Sequence, residues 1–294
     1  MQTKTAFITI TGKPNVGKST LLNALVGEKL AIVSKRPQTT RNRITGVVTK
    51  GENQYVFIDT PGLHRPRNLL GEYMMKAAAG AAQDADVVLF MVDATSRFTA
   101  SERSTLARNL ASGAAVILII NKVDAVKKPD LAALIYEICD GLEFHAVIPI
   151  SALKNDGVDI IYKELEPLLV TSPHFFPDDT LTDQPEKQLM AELIREKVLR
   201  LTEDEVPHGV AIVIEEYKDE GTLLRVRAEI FCEKDAHKSI IIGKNGAMLK
   251  KIGTYAREDA EKMFETKVFL DLWVKVKENW RDNRTMIRNF GYTK

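Results

Sequence analysis

The sequence predicts an α/β domain with a mostly parallel sheet and helices on both faces, followed by a smaller α+β domain. Three observations carry this. Over residues 4 to about 170, short apolar strand-like runs alternate with helical stretches, the pattern of a parallel sheet covered on both sides. Residues 171–185 then lose periodicity and gain proline and acidic residues, which marks a linker. Beyond them the order changes to helix, strand, strand, helix, glycine loop, helix and strand.

The first strand is expected over 4–11, where Lys4 to Thr11 is rich in β-branched and apolar residues. It runs into Gly12-Lys13-Pro14-Asn15-Val16-Gly17-Lys18-Ser19, which fills every fixed position of the phosphate-binding pattern G-x-x-x-x-G-K-[ST]. Ser19-Thr20 then opens a helix that closes at Gly27. A strand, a glycine loop and a helix N-terminus aim several amide donors and the positive end of the helix dipole at one spot. Lys18 supplies a mobile cation for the terminal phosphates, and the Ser19 hydroxyl a ligand for Mg²⁺.

Strands follow at 43–50 and 54–58, and the second delivers Asp59-Thr60-Pro61-Gly62. An acid at a strand end can hold Mg²⁺ through its water shell, while Gly62 leaves an N–H free to approach a γ-phosphate. Helices are expected near 70–82, 99–111, 129–139 and 157–169, with strands at 86–93, 114–120 and 145–150. The run Ala114 to Ile120 ends in Asn121-Lys122-Val123-Asp124. That N-K-x-D spacing offers a carboxylate to the N1–H and N2–H donors of guanine, a pair that adenine lacks, and a buried Asp124 would reject adenine. Ser151-Ala152-Leu153, after the next strand, is placed to pack against the base. Four such motifs in this order, each at the C-terminal end of a strand-like run, point to a GTP site.

The second domain begins with an amphipathic helix over 186–201, followed by strands at 209–216 and 222–232 around the turn 217–221. Ile240-Ile241-Ile242 leads into Gly243-Lys244-Asn245-Gly246, then a helix from Ala247 to about Phe264 and a strand over 267–275. This order matches a KH fold of α-first (type II) topology, whose G-x-x-G loop clamps about four nucleotides of a single strand. The expected RNA contacts are Ile242, Gly243, Lys244, Asn245, Gly246, Lys250, Lys251 and Arg257. Net charge is only +1 for the whole chain, yet residues 182–233 hold 7 Lys and Arg against 13 Asp and Glu. Residues 234–294 hold 14 against 8, so the basic half is the half with the loop. Of two tryptophans that could stack on bases, Trp273 reads as core and Trp280, beside Arg281 and Arg284, as the more exposed. The domain boundaries implied are 1–172, a linker over 173–184, and 185–294 with a basic C-terminal tail.

Composition limits the alternatives. With 294 residues and 45% apolar content the chain supports two cores. Cys139 and Cys232 have neither C-x-x-C nor metal-type spacing, and five scattered histidines form no zinc motif. Apolar stretches reach only seven or eight residues, too few for a membrane span, and no apolar leader precedes the first strand, so a cytosolic protein is expected.

Taken together, the guanine-type motifs joined to a G-x-x-G domain resemble the Era-like family of bacterial GTPases, over nearly the whole chain. Especially similar are Arg36-Pro37-Gln38-Thr39-Thr40-Arg41-Asn42-Arg43, a first switch segment, and Leu272-Trp273-Val274-Lys275-Val276-Lys277. The resemblance implies binding of the 3′ end of 16S rRNA, a role in maturing the 30S subunit, and peripheral association with the inner membrane. A monomer is expected. Thr39 and Thr40 are both candidates for the switch hydroxyl on Mg²⁺, with Thr40 preferred. Where many GTPases place a water-orienting glutamine, this chain has Leu63, so another group, a bound K⁺ or a partner must act; His64 is a lesser candidate. Arg36, Arg41 and Arg43 read as solvated or RNA-facing rather than as a finger in cis. An RNA-modifying GTPase is disfavoured by the absence of a second catalytic constellation, and a binding module without turnover by the intact Lys18, Ser19, Asp59 and Asp124.

Overall fold

The computed structural model describes residues 2–34, 39–62, 68–83, 85–202 and 206–292. Two units emerge. One holds Met1–Ala31, Thr40–Arg65 and Met74–Asp183; the other holds Ile32–Thr39, Pro66–Tyr73 and Gln184–Lys294. The expected linear division differs from these units at those two short segments, where described backbone groups find partners among the elements that follow residue 184. Val33 N–H bonds Glu196, for example, and Leu69 N–H bonds Asp282.

Up to residue 171 the elements are β1 (Lys4–Gly12), α1 (Lys18–Val26), β2 (Ile44–Lys50), β3 (Asn53–Asp59), α2 (Leu69–Gln83), β4 (Val87–Asp93) and α3 (Ala100–Leu110). They continue with β5 (Ala115–Asn121), α4 (Lys128–Cys139), β6 (Ala146–Pro149), α5 (Val158–Leu165) and β7 (Val170–Thr171). The sheet order is β2-β3-β1-β4-β5-β6, with β2 antiparallel to β3 and the other neighbours on this path parallel. Alternation explains the uninterrupted apolar runs: Val87, Leu89 and Met91 enter one core, while Val88, Phe90 and Val92 enter another. A strand buried on both faces has no polar side. Register then aligns the motifs, pairing Ile10 with Asp59, Gly12 with Met91, Asp93 with Asn121, and Ile120 with Pro149.

The short strand β7 was not expected. It pairs antiparallel with Lys4 and Thr5, the part of β1 that β4 does not reach. The expected linker over 173–184 is likewise bound to the first unit along much of its length. Gln54 is buried and bridges it, accepting from Phe175 and Phe176 N–H and donating to the Phe176 carbonyl. Val47 N–H, on the open edge of β2, donates to the Leu181 carbonyl. An edge strand presents unpaired backbone groups, and this segment satisfies them.

In the second unit α6 (Glu186–Leu201) precedes β8 (Ala211–Asp219), β9 (Leu223–Cys232), α7 (Asp235–Ile242), α8 (Ala247–Met263), β10 (Lys267–Val276) and α9 (Arg284–Asn289). Its sheet runs β10-β9-β8, with β10 parallel and β8 antiparallel to β9. Tyr217 and Lys218 belong to β8 rather than to the expected turn, which is closed by Glu220 N–H on the Leu223 carbonyl. The two tryptophans exchange roles. Trp273 alternates with the core-facing Leu272 and Val274 and is 58% exposed. Trp280 is fully buried, donates to the Gly209 carbonyl and packs on Phe290 and Tyr292. The C-terminal segment is therefore folded by its aromatic residues and is not a plain basic tail. No helix among the described residues is long and apolar enough to cross a membrane.

Replacing Gln54 with alanine strands two amide donors and a carbonyl. The expected loss is about 1–3 kcal/mol, seen as a lower denaturation midpoint together with faster proteolysis within 172–183.

Candidate nucleotide site and nucleic-acid groove

β1 ends at Gly12 and α1 starts at Lys18, so the glycine loop spans the turn between them. Gly17 has φ 107°, and a Cβ there would lie 2.3 Å from Asn121 Nδ2, so glycine is required. No side chain caps α1 at its N-terminus, which leaves its first amides directed at the loop. Asn121 is buried and ties three motifs together: it donates to the Val16 carbonyl at 2.8 Å and accepts from Ala152 N–H at 2.9 Å. Lys122 reaches the Asn15 carbonyl at 3.0 Å and pairs with Asp93. Lys13 pairs with the buried Glu102 at 2.5 Å, whose carboxylate also closes the capping box of α3 with Thr99.

Lys18 Nζ donates to the Gly12 and Lys13 carbonyls at 3.2 and 2.8 Å. Burial lowers its pKa to about 8, with Asp59 pulling the other way. Asp59 is fully buried; one oxygen accepts from Ser19 Oγ at 2.6 Å and from Thr40 Oγ1 at 3.2 Å. The two hydroxyls are themselves 2.8 Å apart. Burial raises the Asp59 pKa, opposed by Lys18 and the hydroxyl donors. Its other oxygen is buried without a hydrogen-bond partner among the described residues. A carboxylate with an uncommitted oxygen and two adjacent hydroxyls is a hard-oxygen donor set that fits Mg²⁺. The two switch threonines separate here: Thr40 joins this cluster, whereas the Thr39 carbonyl is held by Arg195. Thr60 Oγ1 anchors on the Ile10 carbonyl, and Gly62 packs against Pro14 of the loop.

Several expectations change or fall elsewhere. Arg41 is 2% exposed, not solvated, while Arg43 is exposed and Asn42 half-buried. Arg36, Gln38, Leu63 and His64 lie outside the described residues. Asp124 is at the surface rather than buried, because Val123 and Asp124 sit in a short turn projecting after Lys122, which adopts φ 67°. Its pKa is lowered by a hydrogen bond from Ser151 and by Lys154 at 3.4 Å, so the carboxylate is ionised and aimed by the Ser151-Ala152-Leu153 loop. Asp93 and Glu102 were missed. Asp93 sits where Asp59 does, at the C-terminal end of an apolar strand, and Thr99-x-x-Glu102 is a legible capping box.

In the second unit α7 stops at Gly243, with φ 73°, where a Cβ would lie 2.7 Å from Met248 Cβ and 2.9 Å from its backbone nitrogen. Lys244 and Asn245 are exposed in the turn that follows. Next to it a groove of about 350 Å³ lies between α8 and β10, lined by Gly246, Lys250, Gly253, Arg257, Leu270 and Leu272 among others. An apolar floor with cations at its rim suits bases and phosphates together. Of the expected contacts, Gly246, Lys250 and Arg257 line the groove; Lys251 lies beside Tyr255 instead, and Ile242 packs against the core. Gly253, Leu270 and Leu272 were missed, since only the pairing of helix and strand brings them together. Among the described residues no cluster of His, Cys, Asp and Glu forms a separate metal site.

A family model described as a 50S ribosome-binding GTPase matches residues 7–122, and a KH-domain model matches residues 205–281. GTPase Era of Ruminiclostridium cellulolyticum is 49% identical over 293 residues, covering 99% of this chain and 98% of the relative. GTPase Era of Clostridioides difficile is 48% identical, covering 98% of each. An Aquifex aeolicus Era variant bound to GDP·AlF4⁻ matches with TM-score 0.95 and 39% identity, over 99% of this chain and 100% of that one. A structure of Era with MgGDPNP and nucleotides 1506–1542 of 16S ribosomal RNA matches with the same values.

The lowered pKa of Lys18 makes nucleotide affinity pH-dependent. Below about 8 the ammonium is already charged in the free protein; above it, binding of phosphates must protonate it. Affinity therefore falls as pH rises from 7 to 8.5, with proton uptake growing toward one. Titration calorimetry in buffers of different ionisation enthalpy checks this, and Lys18→Met removes the uptake.

Proposed function

The chain belongs to the Era family of GTPases, and on that premise we propose that it is a Mg²⁺-dependent GTP switch that holds the single-stranded 3′ end of 16S rRNA in the α8–β10 groove during assembly of the 30S subunit. The observation that carries this reading is the presence of both sites in one chain, together with the similar Era structure that holds MgGDPNP and 16S RNA nucleotides at once. K⁺ beside Mg²⁺, which the apolar Leu63 calls for as one alternative, and a monomeric state belong to the same reading; a peripheral inner-membrane fraction rests on the family resemblance.

In phosphoryl transfer the protein chiefly positions the reactants and stabilises charge. The loop amides of 12–19 and Lys18 hold the β- and γ-oxygens. Ser19 and Thr40 would hold Mg²⁺ directly and Asp59 through water, and the ion, when bound, would supply positive charge against the phosphate oxygens. Asn121 keeps the loop and the base-side motifs in register, and Asp124 reads guanine N1–H and N2–H. Leu63 has no donor or acceptor, so water is oriented by another group and intrinsic turnover is slow. GTP orders the segments at Thr39–Thr40 and Gly62, and hydrolysis releases them.

The test is GTP turnover with and without a single-stranded RNA of the 16S 3′ end. Stimulation in the native protein, lost in both Gly243→Asp and Lys250→Glu, is expected. Equal rates with and without RNA would overturn the coupling. Base reading is tested separately: Asp124→Asn presents a donor where guanine also has donors. GTP affinity is expected to fall by about 100-fold or more, while xanthosine triphosphate, which has an acceptor there, binds better than it does to the native protein.

A further inference from the structure

α6 carries three consecutive charged residues that are all buried: Arg195, Glu196 and Lys197, at 1%, 0% and 5% exposure. Neighbouring residues on a helix point in different directions, so no single core-facing stripe accounts for all three. Each is committed to a different partner. Arg195 Nη2 donates to the Thr39 carbonyl, and Glu192 steadies the guanidinium through contacts of 2.5 and 2.9 Å. Glu196 accepts from Val33 N–H at 3.0 Å and from Arg200 at 2.9 Å, while Arg200 Nε donates back to the Val33 carbonyl at 3.1 Å. Val33 thus has both backbone groups held by one helix. Lys197 pairs with Glu196 at 3.0 Å and with Asp259 on α8. All these residues lie in the second unit.

Such a row is not what stability alone selects. Buried charges are costly to desolvate, and apolar residues of similar volume often stabilise as well or better. Burial by itself would lower the pKa of both Arg195 and Lys197; their acidic neighbours hold both raised, so the row stays charged. Its partners give it meaning. The residue after Thr39 is Thr40, whose hydroxyl contacts Ser19 and Asp59. Asp259 lies on the helix that supplies Lys250 and Arg257 to the groove.

We propose that the buried row Arg195-Glu196-Lys197 is the relay between the nucleotide site and the RNA groove. Arg195 is a positioning residue that sets Thr40 by holding the carbonyl of the residue before it. Glu196 fixes the start of the same segment at Val33, and Lys197 connects both to α8. The relay rests on the reading that nucleotide state biases RNA binding, and it names the residues that carry that bias.

The test measures the affinity of a fluorescein-labelled single-stranded RNA of the 16S 3′ end by anisotropy, at saturating MgGDPNP and at saturating MgGDP. The native protein is expected to show a ratio of about tenfold between the two states. Arg195→Gln and Lys197→Met each reduce that ratio to within about twofold, and Arg195→Lys, which keeps the charge and one donor, retains an intermediate ratio. Lys197→Met keeps the side-chain volume and carries the test if Arg195→Gln does not fold. A native ratio preserved in Arg195→Gln and Lys197→Met overturns the relay. So does an equal loss of RNA affinity in both states, which marks a merely structural role. A native protein with equal affinities overturns the coupling itself, and that result is visible before any substitution is made.

Discussion

Parallel pairing of β1 with β3 and β4 is the constraint on which the nucleotide site depends. It ends these strands at one edge, so that Gly12, Asp59 and Asp93 come together without any local sequence contact. The edge is rigid because the strands are buried on both faces, with alternate residues of β4 entering two different cores. A loop anchored on such a sheet can afford glycine at Gly17, since the strand and helix on either side fix its ends. Asn121 then converts proximity into register: one side-chain amide holds the glycine loop and the loop after β6 together.

The same enclosure shapes the electrostatics. Lys18 and Asp59 are both buried, and desolvation moves each toward its neutral form while their mutual attraction resists. Ser19 and Thr40 donate to one Asp59 oxygen and leave the other without a partner among the described residues. A triphosphate with its Mg²⁺ would act on both groups in the same sense: phosphate oxygens would favour the charged form of Lys18, and the cation that of Asp59. Asp124 stands apart from this balance. At the surface, its carboxylate is ionised and held by Ser151 and Lys154.

Much of this was legible in the sequence because it is local. The loop from Gly12 to Ser19, Asp59-Thr60-Pro61-Gly62 and Asn121-Lys122-Val123-Asp124 each carry their chemistry within a few residues, and each follows an apolar run. The G-x-x-G turn is legible for the same reason. What escaped depends on distant pairing. Nothing near Trp280 announces that Gly209 accepts its N–H, and Trp273 reads as core until β10 is known to alternate. The row Arg195-Glu196-Lys197 looks like the solvated face of an amphipathic helix, yet its partners come from residues 33, 39 and 259. Segment 173–184 reads as a linker by composition, and only the open edge of β2 and the amide of Gln54 reveal that it is held.

Hydrogen exchange tests the central claim, that one chain couples a guanine-nucleotide site to an RNA groove. Amide exchange is followed across the chain when MgGDP is replaced by MgGDPNP, and again when the RNA oligonucleotide is added. The account predicts that the nucleotide change alters protection in 39–42, α6 and α8 as well as in the glycine loop, and that RNA alters protection around Thr40. Changes confined to the glycine loop for nucleotide, and to α8 and β10 for RNA, would contradict it.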